Sequence, residues 1–165
     1  MALQLNNVKV EQLRVSRVPI NPSNPAINLG DNVKWDATNH VALAVVAADA
    51  AGSSASYIGV SQDTQPIASL KQDLPFNQIN VVVKGLVEFT VDDAATYYPG
   101  DLVCFGAGPQ LVRKTTASAA NSIGVVAAEN SFTVSSGAVT GIVAVANVTK
   151  LLIYIKPGFL NLTSW

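Results

Sequence analysis

Short apolar runs alternate with turn residues along almost the whole chain. From residue 30 onward the runs cover 32–37 (NVKWDA), 41–47 (VALAVVA), 57–62, 79–91 (INVVVKGLVEFTV), 101–106, 110–116, 122–128, 131–135, 138–146 and 148–156. Val, Ile, Thr and aromatic residues dominate them, as they do in strands that pack against one another. Gly, Asn, Pro and Ser separate them. Only VALAVVAADAA (41–51) holds enough Ala to compete as a helix. Its β-branched residues and the Gly52-Ser53-Ser54 that follows oppose a long one. The pattern predicts an all-β fold, a compact barrel or sandwich.

The first 28 residues follow a different rule. Val8, Val10, Leu13, Val15 and Val18 are interleaved with Lys9, Glu11, Arg14 and Arg17, with one slip of phase between Val10 and Leu13. Pro19, Pro22 and Pro25 then recur every third residue. That spacing favours extended backbone without a ladder of its own. Residues 1–28 are therefore read as an extended N-terminal arm, with a first strand and long loop of the same domain as the alternative. The β domain is expected over 29–156 and a C-terminal tail over 157–165.

One unit is written twice. Gly30-Asp31-x-Val33-x-Trp35 matches Gly100-Asp101-x-Val103-x-Phe105, and Ile58-Gly59-Val60 matches Ile123-Gly124-Val125. The first pairing is offset by 70 residues and the second by 65, so the first copy carries five extra residues, near 49–54. Each copy (30–60 and 100–125) reads as turn, strand, turn, strand, loop, strand. Tyr98-Pro99-Gly100-Asp101 suits a type II turn, because proline presets φ and glycine supplies the positive φ that follows. Val33 with Trp35, and Val103 with Phe105, fall at period two and share one face, the expected core face. Gly59 and Gly124 would let another backbone or a large aromatic ring come close. The two copies are expected to share one barrel, each being too small for a core of its own.

Groups fit for catalysis are scarce. His40 is the only histidine and Cys104 the only cysteine. A zinc site of the usual type needs several such ligands, and no intrachain disulfide is possible. Cys104, between Val103 and Phe105, is read as a structural strand residue. Asp31 and Asp101 follow turn glycines, where an Asp bonds local amides. Neither copy has the alternating acidic loop of a calcium site. Asp92 and Asp93 are adjacent in a loop sequence and are read as a solvated turn, not an acid/base dyad. Phosphate-binding glycine loops and the serine-hydrolase elbow do not occur. No catalytic residue, metal or cofactor is assigned.

Charge narrows the partners. Charged residues are 13% of the chain, hydrophobic residues are 49%, and the net charge is -1. The ten Lys and Arg are scattered, so neither nucleic acid nor an anionic membrane is an expected partner. The longest apolar run, 41–48, is too short to cross a bilayer, and the first residues do not read as a secretory leader. So little charge leaves neutral surface suited to contact with partners.

Segment 80–128 resembles the head decoration, or capsid cement, proteins of tailed bacteriophages and prophages. The likeness runs through Lys84-Gly85-Leu86-Val87, Pro99-Gly100-Asp101-Leu102-Val103 and Ile123-Gly124-Val125, and the apolar strand at 138–156 fits the family's closing strand. It covers about two-thirds of the chain and leaves out 1–28 and 157–165. The resemblance implies a non-enzymatic virion protein, a homotrimer, assembled in the host cytoplasm on the outer surface of the expanded capsid. Its partner would be the major capsid protein, whose capsomers it would staple. The arm (Val8, Val10, Leu13, Val15, Pro19, Pro22, Pro25) and the tail (Phe159, Trp165) are the expected contacts, although the tail could equally pack on its own domain. Deleting residues 2–18 is then expected to leave a folded domain that binds capsids poorly. A head-fibre or tail subunit, and a carbohydrate-binding sandwich using Tyr97 and Tyr98, are the competing readings.

Overall fold

The structure, a computed structural model, describes residues 14–21, 23–64, 78–115, 119–145 and 149–155. Thirteen strands run through them: β1 (Arg14–Pro19), β2 (Asn32–Asp36), β3 (Val41–Ala44), β4 (Tyr57–Ser61), β5 (Gln78–Val91), β6 (Thr96–Tyr97), β7 (Leu102–Phe105), β8 (Leu111–Lys114), β9 (Gly124–Val126), β10 (Thr133–Ser135), β11 (Ala138–Thr140), β12 (Ile142–Val143) and β13 (Lys150–Ile155). The fold is all-β, as the alternation predicts. The Ala-rich stretch at 41–51 splits into β3 and a single 3-10 turn, Ala47–Asp49. The expected strand at 138–146 breaks at Gly141 into β11 and β12, which pair with different partners.

The strands close into two rings that share β5. In the first ring β1 pairs with β5, β5 with β4, β4 with β2 and β2 with β3, all antiparallel. A parallel bridge from Ile20 to Ala42 joins β3 back to the end of β1. In the second ring β5 pairs with β13, β13 with β9, β9 with β7 and β7 with β8, again antiparallel. A parallel contact, Val91 with Val112, joins β8 back to the end of β5. The connectivity of the two rings is the same. Closure removes free sheet edges from both.

Matching the ladders shows that the repeat begins earlier than the glycine motif. Val18 faces Ile79 in the first ring as Phe89 faces Leu151 in the second. Ser61 faces Val81 as Val126 faces Ile153. The first half of the molecule is thus β1 to the start of β5, and the second half is the end of β5 to β13. One 14-residue strand closes the first ring and opens the second.

The described part of the expected N-terminal arm is therefore the first strand of the domain. Residues 14–19 pair along β5 from Lys84 to Gln78, with one shift of register between Arg14 and Val15, and Ile20 and Ile27 are buried. The proline spacing misleads because Pro19 ends the strand and Pro25 lies in the exposed connection that follows. Val8, Val10, Leu13, Pro22, Phe159 and Trp165 lie outside the described residues.

The expectation of one shared barrel also changes. Ile20, Ile27, Val33, Ala42, Ile58, Ile79, Val81 and Val83 form the core of the first ring, with Val18, Trp35 and Ala44 packed against it. A larger cluster fills the second ring: Phe89, Val91, Tyr97, Val103, Phe105, Val112, Ile123, Val126, Leu151, Ile153 and Ile155. Tyr57, Val60 and Val82 belong to that second cluster although they sit on first-ring strands, and Val45, just after β3, joins them. In a closed ring one face of each strand fills the interior, and the other face is free to pack elsewhere. Here the outer face of the first ring is buried against the second, so two small cores stabilise each other.

Candidate functional site

The duplicated motif folds twice into the same hydrogen-bonded turn. Gly30 and Gly100 have φ of 88° and 87°, which a type II turn requires at that position. The Asp31 and Asp101 amides each donate to the carbonyl three residues back, Asn28 and Tyr98, both at 3.1 Å. Each carboxylate reaches back in turn: Oδ2 of Asp31 accepts from the Asn28 amide at 2.7 Å, and Oδ2 of Asp101 from the Tyr98 amide at 2.8 Å. Gly30 donates to the Ser61 carbonyl and Gly100 to the Val126 carbonyl, both at 2.9 Å. Val33 and Val103 are buried, Phe105 is buried, and Trp35 is half-buried beside the first core. Pro99 is exposed on its turn.

Gly59 and Gly124 mark the closest approach of neighbouring strands. A Cβ on Gly59 would lie 1.9 Å from the Val82 carbonyl oxygen, and one on Gly124 would lie 2.4 Å from that of Tyr154. Val82 and Tyr154 occupy matching places in the two rings, facing Val60 and Val125.

The five extra residues of the first copy hold the two halves together. Ala51 donates its amide to the Phe105 carbonyl at 3.0 Å, and the Ser54 hydroxyl donates to the Ala120 carbonyl at 2.8 Å. Asn121 Nδ2 returns a bond to the Ala51 carbonyl. Across the seam the Asn32 amide donates to the Pro109 carbonyl, and Gln110 Nε2 donates to Asp31 Oδ1. Tyr57 and Phe105 meet edge to face there, with ring centroids 5.5 Å apart.

Asp92 and Asp93 are not a solvated turn. Asp92 has only 4% of its side chain exposed and takes a two-pronged contact from Arg113: Nε to Oδ1 at 3.0 Å and Nη2 to Oδ2 at 2.8 Å. Its Oδ2 also accepts the Ala107 amide. Asp93 accepts from the Tyr97 hydroxyl at 2.6 Å and from the Lys114 amide at 2.9 Å. Lys114 Nζ bonds Asp101 Oδ2 at 2.6 Å and lies 5.7 Å from the Tyr98 ring centre. The hydrogen bonds that the Arg113 guanidinium donates to Asp92 hold its pKa above the usual value. Each carboxylate oxygen of the pair accepts at least one hydrogen bond from within the fold. Arg113 and Lys114 were not singled out in the sequence, since their partners lie 21 residues away.

Removing one member of a buried ion pair costs about 3–5 kcal/mol. Arg113 keeps about a third of its side chain in water, which softens the penalty. Asp92→Ala is expected to lower stability by about 2 kcal/mol. Removing the exposed Glu88, which forms an ion pair with Lys150, should cost at most about 0.5 kcal/mol. Urea midpoints of the two variants check the contrast, and equal shifts would refute it.

The remaining candidates are dispersed. His40 is exposed, at φ 56°, in the turn between β2 and β3. Cys104 is buried, and burial raises its thiol pKa. Tyr97 is fully buried while Tyr98 is exposed, so the two do not form an aromatic platform for a sugar. Among the described residues no group of three or more His, Cys, Asp or Glu could hold a metal ion. No helix among them is long and apolar enough to cross a membrane. Of the expected partner contacts, Val15, Pro19 and Pro25 are exposed.

No protein-family model matches the chain, and no curated protein matches it.

What the surface does offer is apolar contact. Val134, Val139, Val143 and Val145 are four of the eight large hydrophobic side chains exposed among the described residues, and they fall within twelve positions. The sequence signal was present, an uncharged run from 130 to 149, but it reads equally well as buried strand.

Proposed function

We propose that the chain is a decoration protein of a tailed-phage head, a non-enzymatic cement that binds the outer surface of the expanded capsid through its major capsid protein. One observation carries this reading. Four aspartates, Asp31, Asp92, Asp93 and Asp101, are engaged within the fold, while a neutral apolar surface is left outside. Asp31, Asp101, Asp92 and Asp93 close turns or hold Arg113 and Lys114. The resemblance of segment 80–128 to capsid cement proteins supplies the setting. Most of its motif residues, among them Pro99, Gly100, Asp101, Val103, Ile123 and Gly124, are turn and core residues of the second ring.

The mechanism is additive. Each copy contributes a modest contact, and many copies on a symmetric lattice hold together by avidity. The rigidity of two closed rings suits a clamp that must transmit strain without yielding.

The test is sedimentation with heads of the phage that encodes the chain, both before and after expansion. Co-pelleting with expanded heads, and a higher temperature of head disruption in its presence, are expected. A protein that stays in the supernatant with both forms would sink the proposal.

A further inference from the structure

Residues 133–140, which follow β9 in the second half, form a separate two-stranded hairpin outside the ladder of the second ring. Thr133 faces Thr140, Val134 faces Val139 and Ser135 faces Ala138. Ser136 and Gly137 have φ of 50° and 79°, the two positive values of a type I′ turn, which matches the twist of a tight hairpin. The base is anchored. Phe132 and Ile142 pack against the second core, and β12 pairs with β6. No contact to the tip is seen among the described residues. All six residues of β10 and β11 are exposed, with Val134 at 66%, and Val143 beside the base is also at 66%.

A two-stranded ribbon this short is marginal in water and gains stability from further strands. Free edges in monomeric proteins usually carry lysine, proline or a bulge that blocks pairing. Neither strand of this hairpin has one, and 130–149 holds no charged residue at all.

We propose that this hairpin joins the chain to a second copy of itself, edge to edge, making a four-stranded sheet across two molecules. Charge favours that occupant. A self-contact places like against like, which is tolerated where the surface is neutral. Geometry favours it as well. A three-residue strand pairs antiparallel with its own copy about a twofold axis through its middle residue, Val134 or Val139, and valine opposite valine is a favourable cross-strand pair. Such a contact is isologous and closes at two copies. It goes beyond the capsid reading and does not rest on it: the contact is twofold, where the resemblance implies a threefold one.

The experiment is mass by light scattering over a concentration series, for the wild-type chain and for the double variant Val134→Lys/Val139→Lys. A mass near twice 17.2 kDa for the wild type, falling to the monomer in the variant, is expected. A wild-type monomer, a trimer, or a variant with the wild-type mass would overturn the proposal. Both substituted positions are exposed, so unchanged circular dichroism and thermal melting are expected in the monomeric variant. Hydrogen exchange on the wild type gives a second reading that needs no variant. Amides of 133–140 should gain protection as concentration rises, and protection independent of concentration would refute the contact. Sedimentation with expanded heads reads the decoration role separately, so failure of one proposal is distinguishable from failure of the other.

Discussion

Gly59→Ala is expected to be among the most damaging single-methyl changes in this protein. The added carbon would stand 1.9 Å from the Val82 carbonyl oxygen, on a residue whose φ is 155°. β4 would have to part from β5 where the first ring closes. Positive φ in a residue with a side chain costs about 1–3 kcal/mol, and overpacking costs about 1–3 kcal/mol more. The sum, about 4 kcal/mol, is a large share of the 5–15 kcal/mol typical of a domain. Gly124→Ala meets the Tyr154 carbonyl at 2.4 Å in the second ring and should lose about 3 kcal/mol from overpacking alone. Gly100→Ala separates the two causes. Its φ is 87°, but nothing lies within 4 Å of the new carbon, so only the conformational cost of about 1–2 kcal/mol remains. Urea unfolding should rank the three as Gly59, Gly124, Gly100. A Gly100 variant as unstable as the Gly59 variant would show that the strands do not approach as described.

Those glycines also show what could be read from the chain alone. The turn motif and the Ile-Gly-Val strand were legible because local chemistry writes them: a positive φ, a returning carboxylate, a period-two core face. The start of the repeat was not. β1 and the end of β5 are equivalent strands, yet they share only apolar alternation, with Val18 matching Phe89 and Ile20 matching Val91. Gly85 and Asp92 bracket the second copy, but Arg14 and Asn21 stand at the matching places in the first, so no shared motif announces the repeat. Asp92 and Asp93 failed for a different reason. Adjacency predicts opposite faces, but it cannot show that Arg113 and Lys114 arrive from β8 to meet both. The hairpin lies between. Ser136-Gly137 announces its turn, while its exposure depends on what the remaining strands leave uncovered.

Deleting residues 2–18 is expected to unfold the first ring. The opposite result follows if those residues form an arm, so the experiment decides between two structures. The deletion removes five of the six residues of β1. It also strips the partner from one edge of β5 between Ile79 and Lys84. Ile79, Val81 and Val83, all buried in the first core, would then be flanked on that side by water. Several ladder hydrogen bonds at about 1 kcal/mol each, with the lost packing of Val18, amount to roughly 5 kcal/mol. The second ring closes without β1, through β13, β9, β7 and β8. Hydrogen exchange should therefore show β2, β3 and β4 losing protection, while β7, β9 and β13 keep most of theirs. Wild-type protection in β2–β4 of the shortened chain would restore the arm. If the ring does open, weak capsid binding by this variant reports a damaged fold and not a lost contact. The capsid-facing surface then has to be sought with substitutions that leave both rings closed, and Val143 and Val145, exposed outside the strands of the hairpin, are the first to change.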